Sequence, residues 1–163
     1  ADFPLIAYHF RKAGILSDRM IPVFYSVAMG VDALAALVFG RLFDRIGFSV
    51  LVLVSFLTAL FAPLVFLGGF SMALLGMALW GVGMGAQESI IRAAVAGMAA
   101  REKRGTAYGI FNAVYGVSWF LGSAFMGLLY DVSLPAVVVF AVVMQLGSIP
   151  LLLLVRKETR RMP

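Results

Sequence analysis

The sequence contains no cysteine, which excludes disulfides and thiolate metal sites and leaves the redox compartment unread. A single histidine, His9, leaves almost no imidazole for metal binding or general acid–base chemistry. Charge is scarce as well: 13% of residues are Asp, Glu, Lys or Arg, against 63% hydrophobic and a mean hydropathy of +1.02. That leaves too little polar surface to cover a water-soluble globule of 163 residues, so a membrane is the expected solvent. The strict apolar–polar alternation of a membrane barrel is also missing from the runs VLVLVSFLTALFAPLVFLG and LPAVVVFAVVMQLGSIPLLLL. Transmembrane strands are therefore set aside in favour of helices.

Several chemistries are absent by motif. No G-x-x-x-x-G-K-[ST] phosphate loop is present, as a nucleotide-driven pump would need, and no H-E-x-x-H zinc helix. Intramembrane serine proteolysis needs a histidine inside the bilayer, whereas His9 falls near an outer loop. Aspartyl proteolysis needs two facing intramembrane acids, and Asp131 sits at a loop. An enzyme is not expected, nor is a cofactor. The net charge of +5 does not point to nucleic acid, because the basic residues stand at the ends of apolar runs, where lipid headgroups and topology account for them.

What is present is a series of apolar segments, each long enough for the roughly 20 residues that cross a hydrocarbon core. Spans are expected at 20–40, 49–68, 71–97, 106–130 and 134–155. Ser17 or Asp18, Ser71 and Ser133 are candidate caps, and Pro63 and Pro150 are expected to bend the helices that contain them. Alternate connections then place Arg41 and Arg45, Arg101, Lys103 and Arg104, and the basic tail at 156–163 on one side. The other side carries Arg11, Lys12 and Arg19 in a loop at 11–19, and no base near residues 67–70 or 131–135. The positive-inside rule makes the first side cytoplasmic, with a cytoplasmic loop at 98–105 and a cytoplasmic C-terminus. Residues 1–10 read as the outer end of a truncated first helix, giving six helices in the parent unit.

The stretch GRLFDRIG, Gly40 to Gly47, then falls on the cytoplasmic side between two antiparallel helices. Its glycines would permit a tight turn, and Asp44 could meet a helix N-terminus or pair with Arg41 or Arg45. Gly40, Arg41, Asp44, Arg45 and Gly47 together resemble the signature loop of the major facilitator superfamily, of the form G-x-L-x-D-R/K-x-G followed by two basic residues. Phe48 and Ser49 stand at those two basic positions. Arg104-Gly105 followed by Gly109, Gly116, Gly122 and Gly127 is similar to the superfamily's eleventh helix. The resemblance covers almost the whole chain.

It implies an all-α polytopic membrane protein: the C-terminal six-helix bundle, first helix truncated, built of two inverted three-helix repeats. Residues 20–97 would hold the remaining helices of the first repeat and the start of the second, and 106–155 the last two helices. The echo of the loop in Gly127, Leu129 and Asp131 would then end the second helix of the second repeat, on the outer side. The implied partners are the N-terminal six-helix half, a small-molecule substrate and the lipid bilayer of a plasma or bacterial inner membrane.

Ionisable residues inside a span are functional candidates, since each costs on the order of 3 kcal/mol to insert. Asp32 falls near the middle of its span and suits either a coupling proton, a cationic substrate, or a buried bond to Asn112, Tyr115 or Ser118. Glu88 and Arg92 stand four apart with the acid first, the favoured orientation for a helical ion pair, and Gln87 adds an amide beside them. Asn112, Tyr115 and Trp119 follow i, i+3, i+7 spacing and share one face, as a cavity wall or a packing face would. The expected function is a secondary active transporter working by alternating access, with proton-coupled efflux suggested by Asp32 and Glu88. The alternative is a non-transporting receptor or assembly subunit on the same fold.

Overall fold

The computed structural model describes residues 2–159, and among them all regular structure is helical. In chain order the helices are α1 (Phe3–Lys12), α2 (Ile21–Ile46), α3 (Ser49–Thr58), α4 (Phe61–Leu67), α5 (Phe70–Met98), α6 (Arg104–Val132) and α7 (Leu134–Thr159), with a 3₁₀ turn at Arg101–Lys103. Counting α3 and α4 as one broken rod, five segments are long and apolar enough to cross a bilayer. Arg160 and Arg161 of the expected basic tail lie outside the described residues.

The joint at GRLFDRIG is shorter than its glycines suggest. α2 continues past residue 40 to Ile46, so Gly40, Arg41, Asp44 and Arg45 are helical and the turn itself is Gly47–Phe48. Phe39, Leu42 and Phe43 extend the helix because they have a core to reach, one they share with Phe48, Val50 and Val54. Within this stretch it is Gly47 that needs glycine's freedom: at φ 60°, ψ −146° it occupies backbone space closed to side chains. Gly40 serves packing instead, since a Cβ there would stand 2.8 Å from Ser89 Oγ on α5.

Two of the expected caps are not formed. α2 begins after Met20, whose own helical backbone follows a turn closed by its N–H on the Ser17 carbonyl, leaving Ser17 and Asp18 too far back to cap. α5 begins one residue before Ser71, behind an extended Gly69. Ser133 does separate α6 from α7, and its carbonyl accepts from Val137 N–H at 3.3 Å. Pro63 acts four residues upstream of itself. Its missing N–H and its ring leave the Ala59 carbonyl without a helical partner, and the rod breaks at Ala59–Leu60. α7 runs through Pro150 unbroken.

The centre of the bundle is the crossing of α2 and α5, its most extensive helix contact. Gly81 abuts Ala28 and Gly85 abuts Asp32, each so closely that a Cβ would fall on the facing backbone. These pairs advance in the same direction, so α2 and α5 run parallel. Gly76 meets Val65 and Gly83 meets Thr58, so the α3–α4 rod runs antiparallel to them. α6 and α7 complete the set as a hairpin pinned by Phe125 and Phe140.

Two apolar cores result. One, around Ile6, Phe10, Phe24, Phe66 and Met77, ties α1 to the body; the other, around Val50, Val54, Ala86 and Ile90, lies toward the turn at Gly47. Outward faces carry leucine, valine and phenylalanine, such as Leu34, Leu37, Phe56 and Leu128, as lipid contact requires. Asp44 lies within the motif in the last turn of α2, while Asp131 lies in the last turn of α6 near Tyr130, His9 and Phe66 at the other end of the bundle.

Candidate functional site

α6 is the least embraced of the long helices. Of its residues only Met126, near its far end, is fully buried. It faces α5 in the antiparallel sense. The Tyr108 hydroxyl donates to the Arg92 carbonyl at 2.8 Å at the motif end, and Trp119 stands across from Trp80 and Gly83 further along. Between these points the two helices separate enough to leave a cleft.

The part nearest the motif end is a cleft of about 90 Å³. α5 contributes Gln87, Glu88 and Arg92 to it, and α6 contributes Phe111, Asn112 and Tyr115. Helical spacing alone sets the pair within α5: Arg92 Nη2 donates to Glu88 Oε2 at 3.0 Å across one turn. Both side chains remain largely accessible, so the pair can be opened without unpacking the bundle. Tyr115 stacks on Phe111 with ring centroids 5.6 Å apart, and Trp119 packs against the other side of Tyr115 at the same distance. Asn112 and Tyr115 thus share this cleft, while Trp119 forms the wall of the next one along.

Asp32 stands outside the lining. Its backbone is held against Gly85, and its Oδ1 is buried with no hydrogen-bond partner. The bonds to Asn112, Tyr115 or Ser118 weighed from the sequence are not formed among the described residues, because α5 lies between α2 and α6 at this level. Glu88 stands one helical turn further along α5 than Gly85, the residue against which Asp32 is held. Two acids and one arginine therefore serve this region of the bundle, with Arg92 engaged by only one of the acids.

The motif residues form no part of the cleft. Arg41, Asp44 and Arg45 are exposed on the last turns of α2, where Arg41 Nη1 donates to the Leu37 carbonyl at 3.3 Å. Among the described residues no ion pair joins Asp44 to Arg41 or Arg45.

Sequence reasoning passed over Tyr108, Thr58, Phe61, Trp80 and Gln145. The last four line a second cleft of about 140 Å³ beyond Gln87. Gln145 Nε2 donates to Thr58 Oγ1 at 2.9 Å, and Thr58 Oγ1 donates to the Val54 carbonyl at 2.7 Å. A signal existed, since Thr58 and Gln145 are among the few polar residues in the two most apolar runs, and polar groups at membrane depth need partners.

A family model described as Major Facilitator Superfamily matches residues 3–163. The chain is 35% identical over 154 residues to an uncharacterized protein of Mycobacterium bovis, covering 94% of this chain and 38% of that protein. Uncharacterized proteins of two Mycobacterium tuberculosis strains match to the same extent. The chain thus spans 38% of the length of these curated relatives. No solved structure matches it.

Proposed function

Since the chain belongs to the major facilitator superfamily and is part of a multi-pass membrane protein, we propose that it is the C-terminal half of a secondary active transporter of a small molecule. Its partner is an N-terminal six-helix half, and substrate is held between the two and released by alternating access. The observation that carries this reading is the convergence of Gln87, Glu88 and Arg92 with Asn112 and Tyr115 in one cleft, on a helix pair that is not closely packed.

The chemistry follows from the uneven pairing. With Asp32 and Glu88 both ionised, Arg92 balances one of the two acids, and the second negative charge sits in a region where charge is expensive. A proton on either carboxyl relieves that charge, and so does a cationic group of the substrate. Mutual exclusion between a proton on Asp32 and a cationic substrate at Glu88 couples proton movement to substrate movement in opposite directions, which is proton-driven efflux. Asn112, Tyr115 and Gln87 supply neutral hydrogen bonds that orient the bound molecule without fixing its charge. The stretch from Gly40 to Gly47, the last turns of α2 and the turn after it, faces the cytoplasm in this reading, where Arg41, Asp44 and Arg45 meet the other half and stabilise the outward-open state.

The test uses the full-length protein in proteoliposomes with an imposed proton gradient and a panel of labelled small cations. Substrate flux that follows the gradient, and is lost in Asp32→Asn while substrate binding persists, supports the reading. Flux that ignores the gradient removes the coupling, and a protein that binds but moves nothing removes the transporter.

A further inference from the structure

The clefts along α5 and α6 adjoin one another. The first, at Glu88 and Arg92, shares Gln87 with the second; the second shares Phe61, Trp119 and Gln145 with a third, of about 260 Å³. The third lies behind Trp119 between α6 and α7, with Phe61 of α4 as its floor. A row of adjoining clefts thus follows α5, passes Trp119 and ends in the α6–α7 hairpin.

Its chemistry changes along its length. All the ionisable acid and base is at the first cleft, while neither of the other two is lined by a charged side chain. The third is walled chiefly by Met126, Phe140, Met144 and Phe61, with Ser118 and Ser123 the only hydroxyls. Methionine and aromatic walls adapt to apolar guests of varied shape. At about 260 Å³ and open on one side, this space between α6 and α7 has room for an apolar chain. At the bend stands Gln145, its Nε2 committed to Thr58 Oγ1 at 2.9 Å, which fixes its amide where the second and third clefts meet.

We propose that the transported molecule is an elongated amphiphile whose charged head sits at Gln87, Glu88 and Arg92 and whose apolar tail passes Trp119 and lodges between α6 and α7. This rests on the reading of the first cleft as a substrate site and adds the class of molecule that fits it. Gln145 is the hydrogen-bonding contact at the bend, and Trp119 covers the tail.

The chain carries its own reporter, because its two tryptophans, Trp80 and Trp119, both line the middle cleft. Full-length protein in lipid nanodiscs is titrated with tail-brominated alkylammonium ions of increasing length, and with neutral alcohols of the same tails. Quenching is read as the difference between wild type and Trp119→Phe. Affinity for the ions rises about fourfold per added methylene until the third cleft is full. Gly122→Leu then tests the tail site. Gly122 lines that cleft, and an added Cβ meets nothing within 4 Å, so the new side chain enters the space without displacing backbone. The expected result is at least a tenfold loss for long tails with short-tail binding unchanged, while Glu88→Gln weakens ions of every length and leaves the alcohols unaffected.

Three results overturn the proposal: no length dependence in the wild type, equal losses for short and long tails in Gly122→Leu, or ions and alcohols binding alike whatever stands at position 88, which describes a groove for bulk lipid. Each of these leaves the transporter reading intact, since that reading fails on flux and not on tail length.

Discussion

His9 Nδ1 lies 2.9 Å from the Tyr130 hydroxyl, joining α1 to the far end of α6 across 121 positions of sequence. The imidazole is 2% exposed, with the Phe66 ring 5.1 Å away and its Nε2 buried without a hydrogen-bond partner among the described residues. Lys12 Nζ stands 5.1 Å from the Tyr130 ring, adding a cation–π contact at the same place. This cluster anchors α6 at one end, as the Tyr108 bond to the Arg92 carbonyl does at the other, while the stretch between them stands off α5.

Tyr130→Phe removes the hydroxyl and strands His9 entirely. A loss of about 1 kcal/mol is expected from one partly buried hydrogen bond. It is read as a lower thermal midpoint of the full-length protein, and as faster cysteine crosslinking or labelling at the far end of α6. An unchanged midpoint would mean that the bond holds nothing.

Gly85→Ala places a methyl on the backbone of Asp32, and the α2–α5 crossing must widen to accept it. Overpacking of this kind costs about 1–3 kcal/mol. Gly109→Ala, where an added Cβ meets nothing within 4 Å, is the control and is expected to be neutral or slightly stabilising. Thermal unfolding of the two variants side by side checks the difference.

Gly47→Ala is expected to destabilise by about 1–3 kcal/mol although its Cβ has open space, because the strain is in the backbone at φ 60°. Gly47→Asn is not expected to rescue it, since ψ −146° lies outside the left-handed helical region that Asn tolerates. Equal stability of the wild type and Gly47→Ala would show that the turn has another conformation within reach.

Glu88→Gln and Arg92→Gln separate function from folding. Exposed one-turn ion pairs contribute only about 0.3–0.5 kcal/mol, so both variants are expected to keep the wild-type thermal midpoint. Transport by the full-length protein is expected to fall by at least tenfold in each. Wild-type flux in both would reduce the pair to helix decoration.

The absence of cysteine from this chain allows a clean test of orientation. In a cysteine-free full-length background, Arg101→Cys and Asp131→Cys are expected to react with a membrane-impermeant maleimide from opposite sides, position 101 from the cytoplasm. Reaction from the same side would reverse the reading of GRLFDRIG and of its echo at Gly127–Asp131 together.

What the sequence settled by itself was local. Each long apolar run selects lipid as its solvent residue by residue, so the helices between residues 21 and 155 were legible without any tertiary contact. The Glu88–Arg92 bond was legible for the same reason, because the helix places residues four apart on one face whatever surrounds it. Tertiary structure decided which faces met. Helix rotation and crossing, set by the glycines of α5 against α2, put Asn112 and Tyr115 opposite Gln87 and kept Asp32 from both. They also brought Gln145 to Thr58 and Tyr130 to His9, pairs separated by most of the chain. No periodicity records such meetings, since a residue's own helix fixes its face but only its neighbours fix what that face meets.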